Sequence, residues 1–167
     1  MRIPRGLIIA VILLVLVVIQ TTLFGQIRFI TPDLMMLASI LIALTRIRLE
    51  WVLGIAFLSG LIVDLLGSSV LGLRAVVFTI AASVALRTRE RAEIGRPAMA
   101  LWAGLISLIG VILLIVIGTL FGQSTLLGPE VFDRVLVVPI ANMLLAAIFA
   151  PVFVRLVDGD TTAFRYS

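Results

Sequence analysis

The run Phe57-Leu58-Ser59-Gly60-Leu61-Ile62-Val63-Asp64-Leu65-Leu66-Gly67-Ser68-Ser69-Val70-Leu71-Gly72-Leu73-Arg74-Ala75 decides how this chain folds. It lies within residues 51–86, where Asp64 and Arg74 are the only charges. A stretch that long could form one helix and a fragment, but Gly67-Ser68-Ser69 places a turn signal midway. It therefore splits into two shortish helices, 51–66 and 71–86, joined as a tight hairpin. One carboxylate precedes the turn and one guanidinium follows it.

The same reading extends to both sides. Upstream, 22 uncharged residues separate Arg5 from Arg28, enough to cross a hydrocarbon core that takes roughly 20. Thr21-Thr22-Leu23-Phe24-Gly25 offers no small-residue cleavage pattern, so 7–24 reads as a retained first helix. Thr31-Pro32-Asp33 is a helix start, with Thr as N-cap, Pro in the first turn and Asp favoured by the positive dipole end. The helix it opens, 34–45, has only 12 residues before Arg46. It must borrow length from snorkelling arginines or lean on neighbours in a thinned bilayer. Downstream, residues 87–96 read as a mixed-charge loop ended by Pro97, followed by 33 uncharged residues that hold a helix over 98–121. A sixth helix, 135–155, occupies the 20 uncharged residues between Arg134 and Arg155, and 158–167 is a short polar tail expected to lack order. The fold class is all-α integral membrane, a single domain over 1–157 with six transmembrane helices.

Composition excludes the alternatives. Of 167 residues 62% are apolar and 13% charged, with a mean hydropathy of +1.31. A soluble domain carries about 25% charge, and one of this size could not hide the apolar excess. There is no Cys, no His and no Lys; all 13 basic residues are Arg. Thiolate and zinc-protease chemistry, Ser-His pairs and lysine Schiff bases are thereby removed. No cofactor is implied. The net charge of +4 does not point to nucleic acid, because the arginines are spread among apolar segments and no basic domain exists to hold a duplex.

The arginines instead report orientation. With a cytoplasmic N-terminus, the inner segments carry Arg2, Arg5, Arg46, Arg48, Arg87, Arg89, Arg91, Arg96, Arg155 and Arg165, against Arg28, Arg74 and Arg134 outside. That bias places both termini in the cytoplasm.

Asp64 is the one acidic residue well inside a predicted span, and a buried Asp needs a partner or a cavity. Ala56 and Gly60 precede it at i−8 and i−4, a small-residue stripe suited to close helix contact. Three roles are open to it: a structural hairpin clamp with Arg74 or with backbone N–H groups of the turn at 67–70, a contact with another protein's membrane helix, or a proton or ion site. An aspartyl intramembrane protease needs a second facing aspartate, which the spans do not supply. Gln20 and Asn142 are suited to interhelical hydrogen bonds, and Ala75, Thr79 and Ser83 to helix packing.

The hairpin run resembles the signature of the bacterial rod shape-determining protein MreD family, a G-L-x-x-D-L-x-x-G-S-P-L-G-like pattern. Gln20, Leu23-Phe24 and Pro32-Asp33-Leu34 resemble its first-loop pattern. Ser68, Val70 and Arg74 stand where that family more often has Gly, Pro and a smaller polar residue or His. The resemblance implies a non-enzymatic subunit of the cell-elongation machinery in the bacterial cytoplasmic membrane, helping to control peptidoglycan synthesis. Its implied partners are a single-pass MreC-like protein, a RodA-like glycosyltransferase, a penicillin-binding transpeptidase, the MreB filament and membrane lipid. Asp64, Gly60, Ala56, Ser69, Gly72 and Arg74 become its candidate partner-binding or hairpin residues. The family's similarity to the S-components of energy-coupling-factor transporters supplies the second reading, a small-solute-binding subunit. Against it, Ala10 is followed at i+4 by Leu14 where a docking motif would have a second Ala.

Overall fold

The computed structural model describes residues 5–24, 32–45, 47–67, 70–92, 95–123 and 128–158. Among them are six α-helices and no strand: α1 (Arg5–Ile19), α2 (Leu34–Leu44), α3 (Leu49–Leu66), α4 (Leu73–Ala92), α5 (Arg96–Leu120) and α6 (Val131–Asp158). Of these, α3, α5 and most of α6 are long and apolar enough to cross a membrane on their own. Together with the composition, they make this a membrane protein.

The short second helix is the centre of the fold. All eleven residues of α2 are buried. At 1.5 Å per residue the helix is only about 16 Å long, half of a hydrocarbon core of about 30 Å. Within a bilayer so short a helix needs protein around its ends, because irregular backbone is tolerated there only where it is buried in protein. The surrounding helices supply that protein. Met35, Ile40 and Ile42 of α2 are fully enclosed beside Phe78 and Val77 of α4, Ile106 of α5 and Val52 of α3.

The hairpin brings α3 and α4 together antiparallel, and α4 turns Ala75, Phe78, Ala82 and Ala85 into the core. That i, i+3, i+7, i+10 spacing puts them on one face, where the three alanines let neighbouring backbones approach. Helix α4 also runs six residues past Leu86, into what reads in sequence as a charged loop. Arg, Glu and Ala are good helix formers, so charge ends the apolar run without ending the helix. Similarly, α6 starts four residues before 135, with Asp133 in its first turn facing the positive dipole end.

Helix α1 is the most loosely held, with Leu7, Leu14 and Val18 half or more exposed. It ends in a π turn, Gln20–Phe24, where the Thr21 hydroxyl donates back to Val17 O at 2.9 Å. Such back-bonding from Thr loosens a helix end. At the α5–α6 contact, Asn142 Nδ2 donates to Ser107 Oγ at 3.0 Å, both residues fully buried.

Candidate functional site

A polar cluster ties three helices together at the turn end of the hairpin. Asp64 stands in the last turn of α3, and its side chain is shut off from solvent. Its Oδ2 accepts the backbone N–H of Arg74 at 3.0 Å and that of Ala75 at 3.4 Å. These are N–H groups of the first turn of α4, which have no partner inside their own helix. The residue preceding α4 is Gly72, at φ +89°, a left-handed conformation that suits glycine and leaves no side chain to cap the helix. A carboxylate from the neighbouring helix does that work, and its charge also sits favourably against the positive end of α4.

The Arg74 side chain turns away from the hairpin to α2. Its Nη1 lies 3.2 Å from Asp33 Oδ2, while its Nε is 3.9 Å from Asp64 Oδ1. Asp33 is itself the N-cap of α2, its Oδ1 accepting Met36 N–H at 3.0 Å. Sequence placed the cap at Thr31, which lies outside the described residues; the structure gives that role to Asp33. Gln20 completes this end, its Oε1 accepting the N–H of Met35 at 3.2 Å. Two carboxylates, one guanidinium and two helix N-termini therefore form one charge-compensated knot.

Below the knot, backbones touch. A Cβ added at Gly60 would lie 2.5 Å from Ala75 Cα and 2.6 Å from Ala75 N. Ala56, a turn earlier on the same face, is fully buried. Between α2 and α3, the buried hydroxyls of Ser39 and Ser59 lie 2.8 Å apart. Of the six residues singled out in sequence, Asp64, Gly60 and Arg74 meet at the α3–α4 contact, with Ala56 buried beside it and Gly72 at the start of α4. Ser69 lies outside the described residues.

Two residues escaped the sequence reading. Asp33 reads in sequence as a helix-start residue, with no sign that it meets Arg74 across 41 positions. Arg89 reads in sequence as part of a loop. It extends from the far end of α4 to close the other end of α2, with Nε and Nη2 donating to Ala43 O at 3.1 and 2.9 Å and Nη2 to Ile47 O at 3.4 Å. A cation at a helix C-terminus is favourable, and here it satisfies a carbonyl of the last turn. Helix α4 thus runs parallel to α2 and grips it at both ends. The available signal is spacing: Arg89 follows Arg74 by 15 residues, about four turns and about 60° around the helix.

Arg89→Ala is expected to lower stability by about 1–2 kcal/mol, the range for a charge-assisted bond with part of its surface wet. Arg89→Lys should recover less than half of that loss, because one ammonium cannot reproduce a fork across two carbonyls. Arg87→Ala, on an exposed face, should change it by less than about 0.5 kcal/mol. Thermal unfolding in one mild detergent compares all three.

The chain was compared with known proteins. A family model described as rod shape-determining protein MreD matches residues 1–158 of the 167. No curated protein and no solved structure matches it.

Proposed function

This chain belongs to the rod shape-determining protein MreD family, and on that premise we propose that it is a non-enzymatic, multi-pass subunit of the bacterial cell-elongation machinery. It resides in the cytoplasmic membrane with both termini inside and docks the single transmembrane helix of an MreC-like partner. Through that partner it joins a RodA-like glycosyltransferase, a penicillin-binding transpeptidase and MreB filaments, and so helps to control peptidoglycan synthesis.

One observation carries the reading. The carboxylate that sequence singled out, Asp64, is committed to structure: it caps α4 and sits beside Arg74 with no exposed surface. A catalytic or ion-carrying carboxylate must meet its substrate, and carriers place such groups along a pathway near the midplane. A carboxylate spent on holding two helix ends together suits a rigid membrane scaffold.

The test is co-purification. An MreC-like partner lacking its transmembrane segment should no longer be recovered with this protein, even with its external domain intact. Recovery of the external domain alone at full yield would overturn the docking proposal. Topology is checked separately. A reporter after Ser167 should register cytoplasm and one inserted at 123–128 the outer side, as the ten-to-three arginine bias requires. A C-terminus outside the cell would mean that the number of crossings is odd.

A further inference from the structure

We propose that the buried contact between Ser107 and Asn142 is a binding site for one ordered water within the helix bundle. Ser107 stands near the middle of α5, and both residues are fully enclosed. Asn142 Nδ2 donates to Ser107 Oγ, which leaves Asn142 Oδ1 a buried acceptor with no hydrogen-bond partner among the described residues. Ser107 in turn keeps a spare donor. The hydroxyls of Ser39, Ser59, Thr79 and Thr119 each donate to a carbonyl three or four residues back in their own helix. Among the described residues Ser107 makes no such bond, and its one hydrogen bond is the one it accepts from Asn142.

A third group comes from Pro139, inside α6. Proline has no N–H, so the carbonyl of Val135, four residues earlier, lacks its helical partner. Positions 135, 139 and 142 fall on one face of the helix, and Pro139 and Asn142 are both buried there. The Val135 carbonyl points along α6 toward Asn142, while the Asn142 side chain leans back toward the helix N-terminus. Seven residues set the two about 10 Å apart along the axis, and both reaches shorten that to the span of one bridging molecule. One donor and two acceptors then converge, which is the complement of a water that accepts once and donates twice. A metal cation could not accept the Ser107 hydroxyl hydrogen, and an anion could donate to neither oxygen. Ordered water is also one of the ways in which carbonyls freed by proline are satisfied inside a membrane.

The composition of the chain makes the proposal testable. Asn142 is its only asparagine, so isotope-labelled asparagine reports on this site alone. The full chain, carrying labelled asparagine and methyl-labelled methionine, is reconstituted in phospholipid bilayers. Solid-state NMR then follows proton magnetisation from water into each label, normalised to its plateau. Asn142 Cγ is expected to build up at least threefold faster than the methyl of Met35, which is fully buried in the apolar core. Ser107→Val removes the donor and fills the space beside it, and should slow Asn142 to the Met35 rate. Pro139→Ala returns an N–H to the Val135 carbonyl, takes one partner from the water and should at least halve the Asn142 rate. Alanine is the best helix former, so this second variant keeps α6 intact. An Asn142 rate no faster than that of Met35 overturns the proposal and means that the amide is turned over, with Ser107 donating straight to Oδ1. A rate left unchanged by either variant overturns it as well.

Discussion

Gly60→Ala is expected to be the most damaging single-methyl change among the glycines of the helices, lowering stability by about 3 kcal/mol or more, at or beyond the usual range for overpacking. The added carbon would meet backbone, at 2.5–2.6 Å from Ala75 Cα, Ala75 N and Arg74 C. Backbone cannot swing aside, so α3 and α4 must separate, and separation pulls Asp64 off the N–H groups it caps. Ala75→Gly should not rescue the variant, because the obstacle is the Ala75 main chain and not its methyl group. The other glycines supply a graded comparison. At Gly104 the new methyl meets Met143 Cβ at 2.8 Å, which moves only with α6, so an intermediate loss is expected. At Gly110 it meets Met36 Sδ at 2.7 Å, the end of a flexible side chain that can turn away, so the loss should be small. At Gly54 nothing lies within 4 Å, and Ala should be neutral or gain about 0.5–1 kcal/mol from helix propensity. Melting temperatures of the four purified variants test the order. If Gly60→Ala is no worse than Gly54→Ala, the two helices do not touch as described.

The hairpin was legible because its signals are local. Gly67-Ser68-Ser69 interrupts an apolar run, and Asp64, Gly60 and Ala56 share a face by spacing alone. The enclosure of α2 was not legible, because an all-apolar helix reads the same whether it faces lipid or protein. Only its shortness hinted that it leans on neighbours. The length of α4 escapes hydropathy for a related reason: hydropathy marks where an apolar surface ends, and residues 87–92 continue the helix past that point. The links from Arg74 to Asp33 and from Arg89 to Ala43 span 41 and 46 positions. Nothing in a single sequence pairs residues so far apart; the packing of α4 along α2 does.

That long-range link changes what Asp64 is expected to do. Among the roles that sequence leaves open for Asp64 is a clamp with the Arg74 side chain, in which case Asp64→Leu would be eased by Arg74→Leu. The geometry divides the work differently. The nearest carboxylate to the Arg74 guanidinium belongs to Asp33 at 3.2 Å, whereas Asp64 holds the Arg74 main chain at 3.0 Å and its Nε only at 3.9 Å. Removing the Arg74 side chain leaves that N–H in place and still in need of an acceptor. Asp64→Leu should therefore cost about 2–4 kcal/mol, from two N–H groups stranded in a buried setting. Adding Arg74→Leu should recover little of it, with a coupling below about 1 kcal/mol, whereas Asp33 and Arg74 should couple by about 1–2 kcal/mol in their own double-mutant cycle. Asp64→Asn separates charge from capping, since the amide oxygen still accepts both N–H groups while the charge is gone. It should lose about 1 kcal/mol, less than half the cost of Asp64→Leu. Should Asn prove as harmful as Leu, with Asp64 coupling to Arg74 more strongly than Asp33 does, the ion pair and not the cap would be what holds α3 to α4.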